Sequence, residues 1–297
     1  MEILNQILSF DFLLRNSVYT SVLIGFTCPL VGVFLVMRRI VFMGVTLPQI
    51  SSTGIAVALS LPLWLGFHLT GPNIGHEIAF FGSILFTLTA ILLLAFLERR
   101  GRGQPEGRLG TAYVVASALS ILLLAKNPYG EIGWLDMLKG EVITISNSDL
   151  ALTAVTLILV LIGLGMFYKE LLLVSFDRDM AITLGKKVVF WDMLLYVLIG
   201  LTVSVAVMSV GPLIAFGFLL IPVLTAHLLT RNMRQFIVLA SLFGGVVAFL
   251  GFYIAYKWDL PVGPTDVVLL GMIYGAMWII TRFLPGGLQQ SKNAGEG

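Results

Sequence analysis

The chain has 297 residues, 58% hydrophobic and 11% charged, with a mean hydropathy of +0.99. Soluble domains carry roughly 25% charged residues, so a sizeable soluble domain is excluded, and a net charge of +2 gives no electrostatic case for nucleic acid. The lone cysteine, Cys28, excludes an internal disulfide and any multi-cysteine metal site, and reads as a small packing residue in an apolar run.

Residues 1–16 do not read as a signal peptide, because no basic residue precedes Arg15 and Glu2 and Asp11 interrupt the apolar stretch. Ile3, Leu4, Ile7, Leu8 and Leu14 suit one face of an amphipathic helix lying on a membrane surface. Apolar runs of spanning length then recur at 17–37, 41–61, 78–97, 110–126, 149–168, 190–208, 212–229, 235–256 and 263–284. Lipid cannot satisfy a bare backbone, so these runs are expected to be helical. The expected fold is all-α: a polytopic membrane protein of about nine transmembrane helices, with a membrane domain over 17–285 and a flexible tail over 286–297.

Three connections stand out. Residues 99–108, rich in Arg and Gly, form a flexible basic loop, and 126–147 make an excursion in which Gly133 to Leu138 is expected to be a half-buried helix. Residues 169–188 are a short, charged, helix-prone insert between long apolar runs, suited to docking on a partner.

Charge sets the expected orientation. One set of connections holds Arg38, Arg39, Arg99, Arg100, Arg102, Arg108, Lys169, Arg178, Lys186, Lys187, Arg231, Arg234, Arg282 and Lys292; the other holds only Arg15, Lys126, Lys139 and Lys257. The positive-inside rule places the richer set in the cytoplasm. The N-terminus is then outside and the C-terminus cytoplasmic, as nine spans require.

Several segments carry a resemblance. They are Val36-Met-Arg-Arg39, Leu109-Gly-Thr-Ala-Tyr113, Leu171 to Asp177 with Ala181 and Leu184-Gly185, Val210-Gly-Pro-Leu-Ile-Ala, Ile221-Pro-Val-Leu-Thr-Ala226 and Asp259-Leu-Pro-Val-Gly263. In this order the chain resembles the membrane permease family of bacterial metal-uptake ABC transporters, which import zinc, manganese or iron. The resemblance implies the metal-type ABC importer permease fold, multi-pass in the inner (cytoplasmic) membrane among its lipids. It implies a homodimer, a cytoplasmic ABC ATPase subunit and an extracytoplasmic metal-binding protein. It makes 171–188 the ATPase-coupling segment, with Asp177, Ala181 and Gly185 as its residues. No cofactor is expected on this chain, and ATP belongs to the partner subunit. No phosphate-loop motif occurs: the only Gly-Lys, at 185–186, has Met180 where the first glycine would stand. The chain is therefore expected to be a transport permease without its own ATPase site.

The family pattern is broken in the second span. An Asp and a His one helical turn apart suit a divalent cation there, but Val45 and Gln49 occupy those positions. The metal ligands are unknown on this reading. Gln49, Ser52 and Thr53 share one face, and Pro48 is expected to break the helix and free a carbonyl near Gly44. This surface either lines a neutral transport pathway or hydrogen-bonds to a neighbouring helix. His227 is an interfacial residue or an ion contact at the inner end of its span. His68, His76 and Glu77 are a solvated docking loop or receive metal. Asp266 is a helix cap or a carboxylate at the outer mouth. Glu170 and Asp192 are expected to be solvated or partner-facing, and Gly244, Gly245 and Gly251 to mark close helix packing.

The composite expectation is an ATP-driven importer of a divalent metal such as zinc or manganese, working by alternating access. An ABC permease for an iron chelate or other larger cargo, and a motor-independent secondary transporter, are the alternatives.

Overall fold

The computed structural model describes residues 14–64, 74–99, 105–125, 145–230 and 232–283. The described residues form eleven helices and no strand: α1 (Arg15–Met37), α2 (Val41–Trp64), α3 (Ile74–Arg99), α4 (Pro105–Ala125), α5 (Asn147–Met166), α6 (Tyr168–Phe176), α7 (Arg178–Thr183), α8 (Val188–Val210), α9 (Pro212–Leu229), α10 (Met233–Trp258) and α11 (Val262–Phe283). Eight of them are long and apolar enough to cross a membrane; α4, the fourth of the nine expected spans, is helical but not among the eight. Most of the N-terminal segment, the Gly133–Leu138 helix, His68 and the C-terminal tail lie outside the described residues.

Burial separates the bundle into a centre and a rim. The spans α1 and α8 are each 67% buried within the protein, against 11% for α11. Ile24, Phe34, Leu47, Ile199, Phe218 and Leu219 belong to the central core. Phe81, Leu85, Val115 and Leu122 point outward from α3 and α4, as lipid-facing side chains do.

Lipid is as apolar as leucine, so close approach and polar contacts must hold such helices together. Small residues supply the approach. A Cβ on Gly25 would come within 2.7 Å of the Gly244 carbonyl oxygen of α10, and one on Gly54 would lie as close to the Gly82 carbonyl oxygen of α3. Gly244 and Gly245 therefore pack as expected, against Gly25, Pro29 and the Phe26 ring. Hydroxyls supply the polar contacts. Thr46, Thr53 and Ser60 of α2 donate to the carbonyls of Leu109, Ala116 and Leu123 of α4, at 3.2, 2.8 and 3.4 Å. Both triplets have heptad spacing, so two parallel helices meet along one seam. Ser51 and Ser83 meet at 2.7 Å, tying α2 to α3.

Two turns are dictated by single residues. Gly211 has φ +84° and Pro212 opens α9 immediately after it. Only glycine takes that backbone geometry freely, and proline is suited to the first helical position. The Val210-Gly-Pro motif is thus the sharp corner between α8 and α9. At the end of α1, Arg39 takes the left-handed conformation (φ +57°), with Ile40 N donating to Leu35 O at 3.0 Å, a Schellman close.

Two expectations change here. Pro48 does not break its span: α2 is continuous over 24 residues. Asp266 does not cap α11, since the helix begins at Val262 and places it in the second turn. It is buried, with its carboxylate in the space that a Gly251 side chain would need.

Gly244→Ala forces the α1–α10 contact apart, whereas Gly275→Ala meets nothing within 4 Å. Overpacking costs about 1–3 kcal/mol. Thermal unfolding of purified protein should show a midpoint several degrees lower for the first variant and unchanged for the second.

Candidate functional site

At the end of the bundle that carries Arg38, α5 closes at Phe167 and the chain turns into α6 and α7. The 171–188 segment is therefore two helices with a joint. Asp177 is that joint: it ends α6 and caps α7, its carboxylate accepting from Met180 N at 2.9 Å. Carboxylates are favoured at such N-caps. The far end of α7 closes at Gly185 (φ +70°), with Gly185 N donating to Ile182 O at 2.9 Å and Lys186 N to Ala181 O at 3.0 Å. These two bonds form a Schellman motif, which needs a residue tolerant of the left-handed region.

The three predicted coupling residues take different places. Asp177 and Gly185 are exposed, and a Cβ on Gly185 would meet nothing within 4 Å. Ala181 is fully buried, packed with Val174 and Val188. It seats α7 on its neighbours, while Met180, Ile182 and Leu184 face outward. Between α7 and the start of α8 lies a groove of about 690 Å³, lined by Arg178, Ile182, Lys186, Val189, Phe190 and Met193 among others. An exposed apolar surface with a basic rim is suited to a protein partner.

Beneath the segment lies a charge network that sequence reasoning missed. Asp192 of α8, expected to be solvated, is buried instead: Arg38 Nη1 lies 2.8 Å from its Oδ1, and Arg178 Nη2 lies 3.3 Å from its Oδ2. Arg38 Nε also donates to Ser175 Oγ at 3.0 Å, and its guanidinium lies 5.8 Å from the centre of the Tyr196 ring. One carboxylate thus joins the α1–α2 turn, α6, α7 and α8. The two halves differ in kind. The Arg38 and Asp192 side chains are 11% and 6% exposed, whereas Arg178 is 58% exposed. Removing one partner of a buried pair costs about 3–5 kcal/mol, while an exposed pair is worth about 0–1 kcal/mol. Glu170 also has a partner, Lys186 at 3.7 Å, and both are partly exposed.

The predicted pathway residues also part company. Thr53 Oγ1 shares its proton between Gln49 O at 2.9 Å and Ala116 O at 2.8 Å, so it is committed to the α2–α4 seam. Ser52 is fully buried and its hydroxyl has no hydrogen-bond partner among the described residues; Gln49 is half-buried. Thr20 and Ser21 of α1 and Ser117 of α4 are unpartnered in the same way. No cluster of three or more His, Cys, Asp or Glu side chains suited to a metal occurs among the described residues. His227 is exposed, 5.6 Å from the Phe236 ring.

Three comparisons bear on this arrangement. The model of the "ABC 3 transport family" matches residues 9–280. The chain is similar to the manganese transport system membrane protein MntC of Listeria monocytogenes, at 29% identity over 92% of each chain. It is similar to the manganese import system permease protein ScaB of Streptococcus gordonii, at 28% identity over 92% of each. Among solved structures it is similar to PsaBC from Streptococcus pneumoniae in complex with Fab, with a TM-score of 0.79, 25% identity and 99% of both chains covered.

The buried and exposed halves of the charge network predict unequal costs. Arg38→Ala should lower unfolding stability by about 3–5 kcal/mol, and Arg178→Ala by no more than about 1 kcal/mol. Denaturant titrations of the two variants against the parent protein measure the difference.

Proposed function

The chain belongs to the ABC 3 transport family, and from that premise we propose that it carries manganese(II) inward. It is the multi-span inner-membrane permease of an ATP-driven importer, a transporter rather than a catalytic enzyme. Its class of importer works with an ATPase and a substrate-binding partner. The observation that carries the choice of cargo is end-to-end similarity to two manganese permeases, each matched over 92% of its length.

In this reading two copies of the chain pack in the membrane around a shared pathway. The end bearing Arg38, α6 and α7 is cytoplasmic, as its share of the basic residues favours. ATP is bound and hydrolysed on the partner, because this chain lacks a phosphate loop. α7 seats in the ATPase: Asp177 and Gly185 fix its two ends and Ala181 anchors it to the permease. Closure of the ATPases displaces α7, and the spans rock to expose a central site to one side and then the other.

Gln49, half-buried, faces the pathway, Ser52 lies just behind it within the protomer, and Thr53 holds α2 to α4. The support is Ser52's unsatisfied hydroxyl, since a buried polar group without a partner costs about 1–3 kcal/mol unless something visits it. With Val45 and Gln49 in place of a carboxylate and an imidazole, the path is neutral at this level. A neutral oxygen surface suits a hard cation such as manganese(II) better than zinc, which prefers nitrogen and sulfur. It also binds weakly, which favours passage over retention.

Metal content, measured across manganese, zinc and iron in cells with and without the gene, should show manganese falling most on deletion. Unchanged content of every metal would overturn the proposal. In reconstituted complexes, Gly185→Val and Ala181→Leu should each abolish most substrate-stimulated ATP hydrolysis, by straining the left-handed turn and by overfilling the Val174–Val188 seat. Intact stimulation in both would remove the assignment of α7.

A further inference from the structure

We infer that Arg178 is the movable member of a charge relay, Arg178–Asp192–Arg38, that reports the position of α7 to the turn between α1 and α2. The inference rests on the reading of α7 as the element moved by the ATPase.

The relay is built asymmetrically. Arg38 holds Asp192 Oδ1 at 2.8 Å, is braced by Ser175 Oγ at 3.0 Å, and is nearly buried. It cannot leave without stranding a charge away from water. Arg178 holds the other oxygen at 3.3 Å from a side chain 58% exposed, beside a groove of about 690 Å³ into which its guanidinium can swing. One contact of Asp192 is therefore fixed and the other exchangeable.

The attachment of α7 allows that exchange. Its middle is seated through Ala181 between Val174 and Val188. Past its far end, Lys186 reaches Glu170 at 3.7 Å, with both side chains partly exposed. A small helix on one apolar seat, with weak ion pairs at its flanks, tilts more readily than it detaches. Tilting that lifts Arg178 withdraws a positive charge from Oδ2 and leaves Asp192 to Arg38 alone. Arg38 is the last residue before the left-handed Arg39, so the changed pull falls on the corner that sets the angle between α1 and α2. Arg178 is thus a positioning residue, acting through Asp192 and not on the cargo.

The test uses the complete transporter in vesicles and reads manganese taken up per ATP hydrolysed. Arg178→Ala should assemble with the ATPase as the parent does, yet give a several-fold lower ratio, and Arg178→Lys should restore most of it. In a background where the relay is replaced by apolar side chains, Arg38→Met with Asp192→Leu, adding Arg178→Ala should cause no further fall. If that background does not fold, the Arg178→Ala and Arg178→Lys ratios decide alone. An unchanged ratio for Arg178→Ala, an equal further fall in the relay-less background, or loss of the ATPase from the Arg178→Ala complex would each overturn the relay, the last by making Arg178 a docking residue. Uptake by the parent protein that persists without any ATPase would instead remove the reading of α7 itself, and the relay with it.

Discussion

The end of this bundle that carries α6 and α7 depends on one buried ion pair, Arg38 with Asp192. A charge placed between packed helices has no water to fall back on, so each partner confines the other to a narrow set of positions. The pair therefore registers four elements at once: the α1–α2 turn through Arg38, α8 through Asp192, α6 through Ser175 and α7 through Arg178. Apolar contacts alone would leave these elements free to slide, because lipid competes equally for every leucine. The α6–α7 segment has a defined seat because that charge is fixed beneath it.

Elsewhere shape replaces charge. α1 meets α10, and α2 meets α3, at glycines whose missing side chains let backbones touch. Among the described residues few buried polar atoms lack a partner: the hydroxyls of Thr20, Ser21, Ser52 and Ser117 on α1, α2 and α4, one Arg38 nitrogen and one Asp266 oxygen on α11. Those hydroxyls are the places where a packed apolar bundle still has hydrogen bonds to offer.

Much of this was legible in the sequence. The spans were readable because apolar runs of spanning length have few alternatives in lipid; the run at 212–229 matches α9 at both ends. The stop of the short helix at Gly185 was readable because C-cap chemistry is local. Three things were not. Asp192 pairs with a residue 154 positions earlier, and no local pattern reveals such a partner. Ala181 was picked out by position, but its small size serves an inward seat, which only the packing of Val174 and Val188 discloses. Thr53 shared a face with Gln49 and Ser52 on paper, and of the two roles open to that face it takes the bond to a neighbouring helix, which only the place of the Ala116 carbonyl discloses. Side-chain polarity shows where hydrogen bonds are needed; the neighbouring helix decides who receives them.

The hydroxyls of Thr46, Thr53 and Ser60 fasten α2 to α4 at three points spread over fourteen residues, a length of about 21 Å at 1.5 Å per residue. Fasteners so far apart resist both shear and splay, so the pair turns as a single plank. A few degrees of rotation near Val41 then becomes an ångström-scale sweep at the opposite end, and the outer face of α4, bearing Val115 and Leu122, must push lipid aside as it goes. Any turning of this plank would be resisted by the viscosity of the surrounding bilayer.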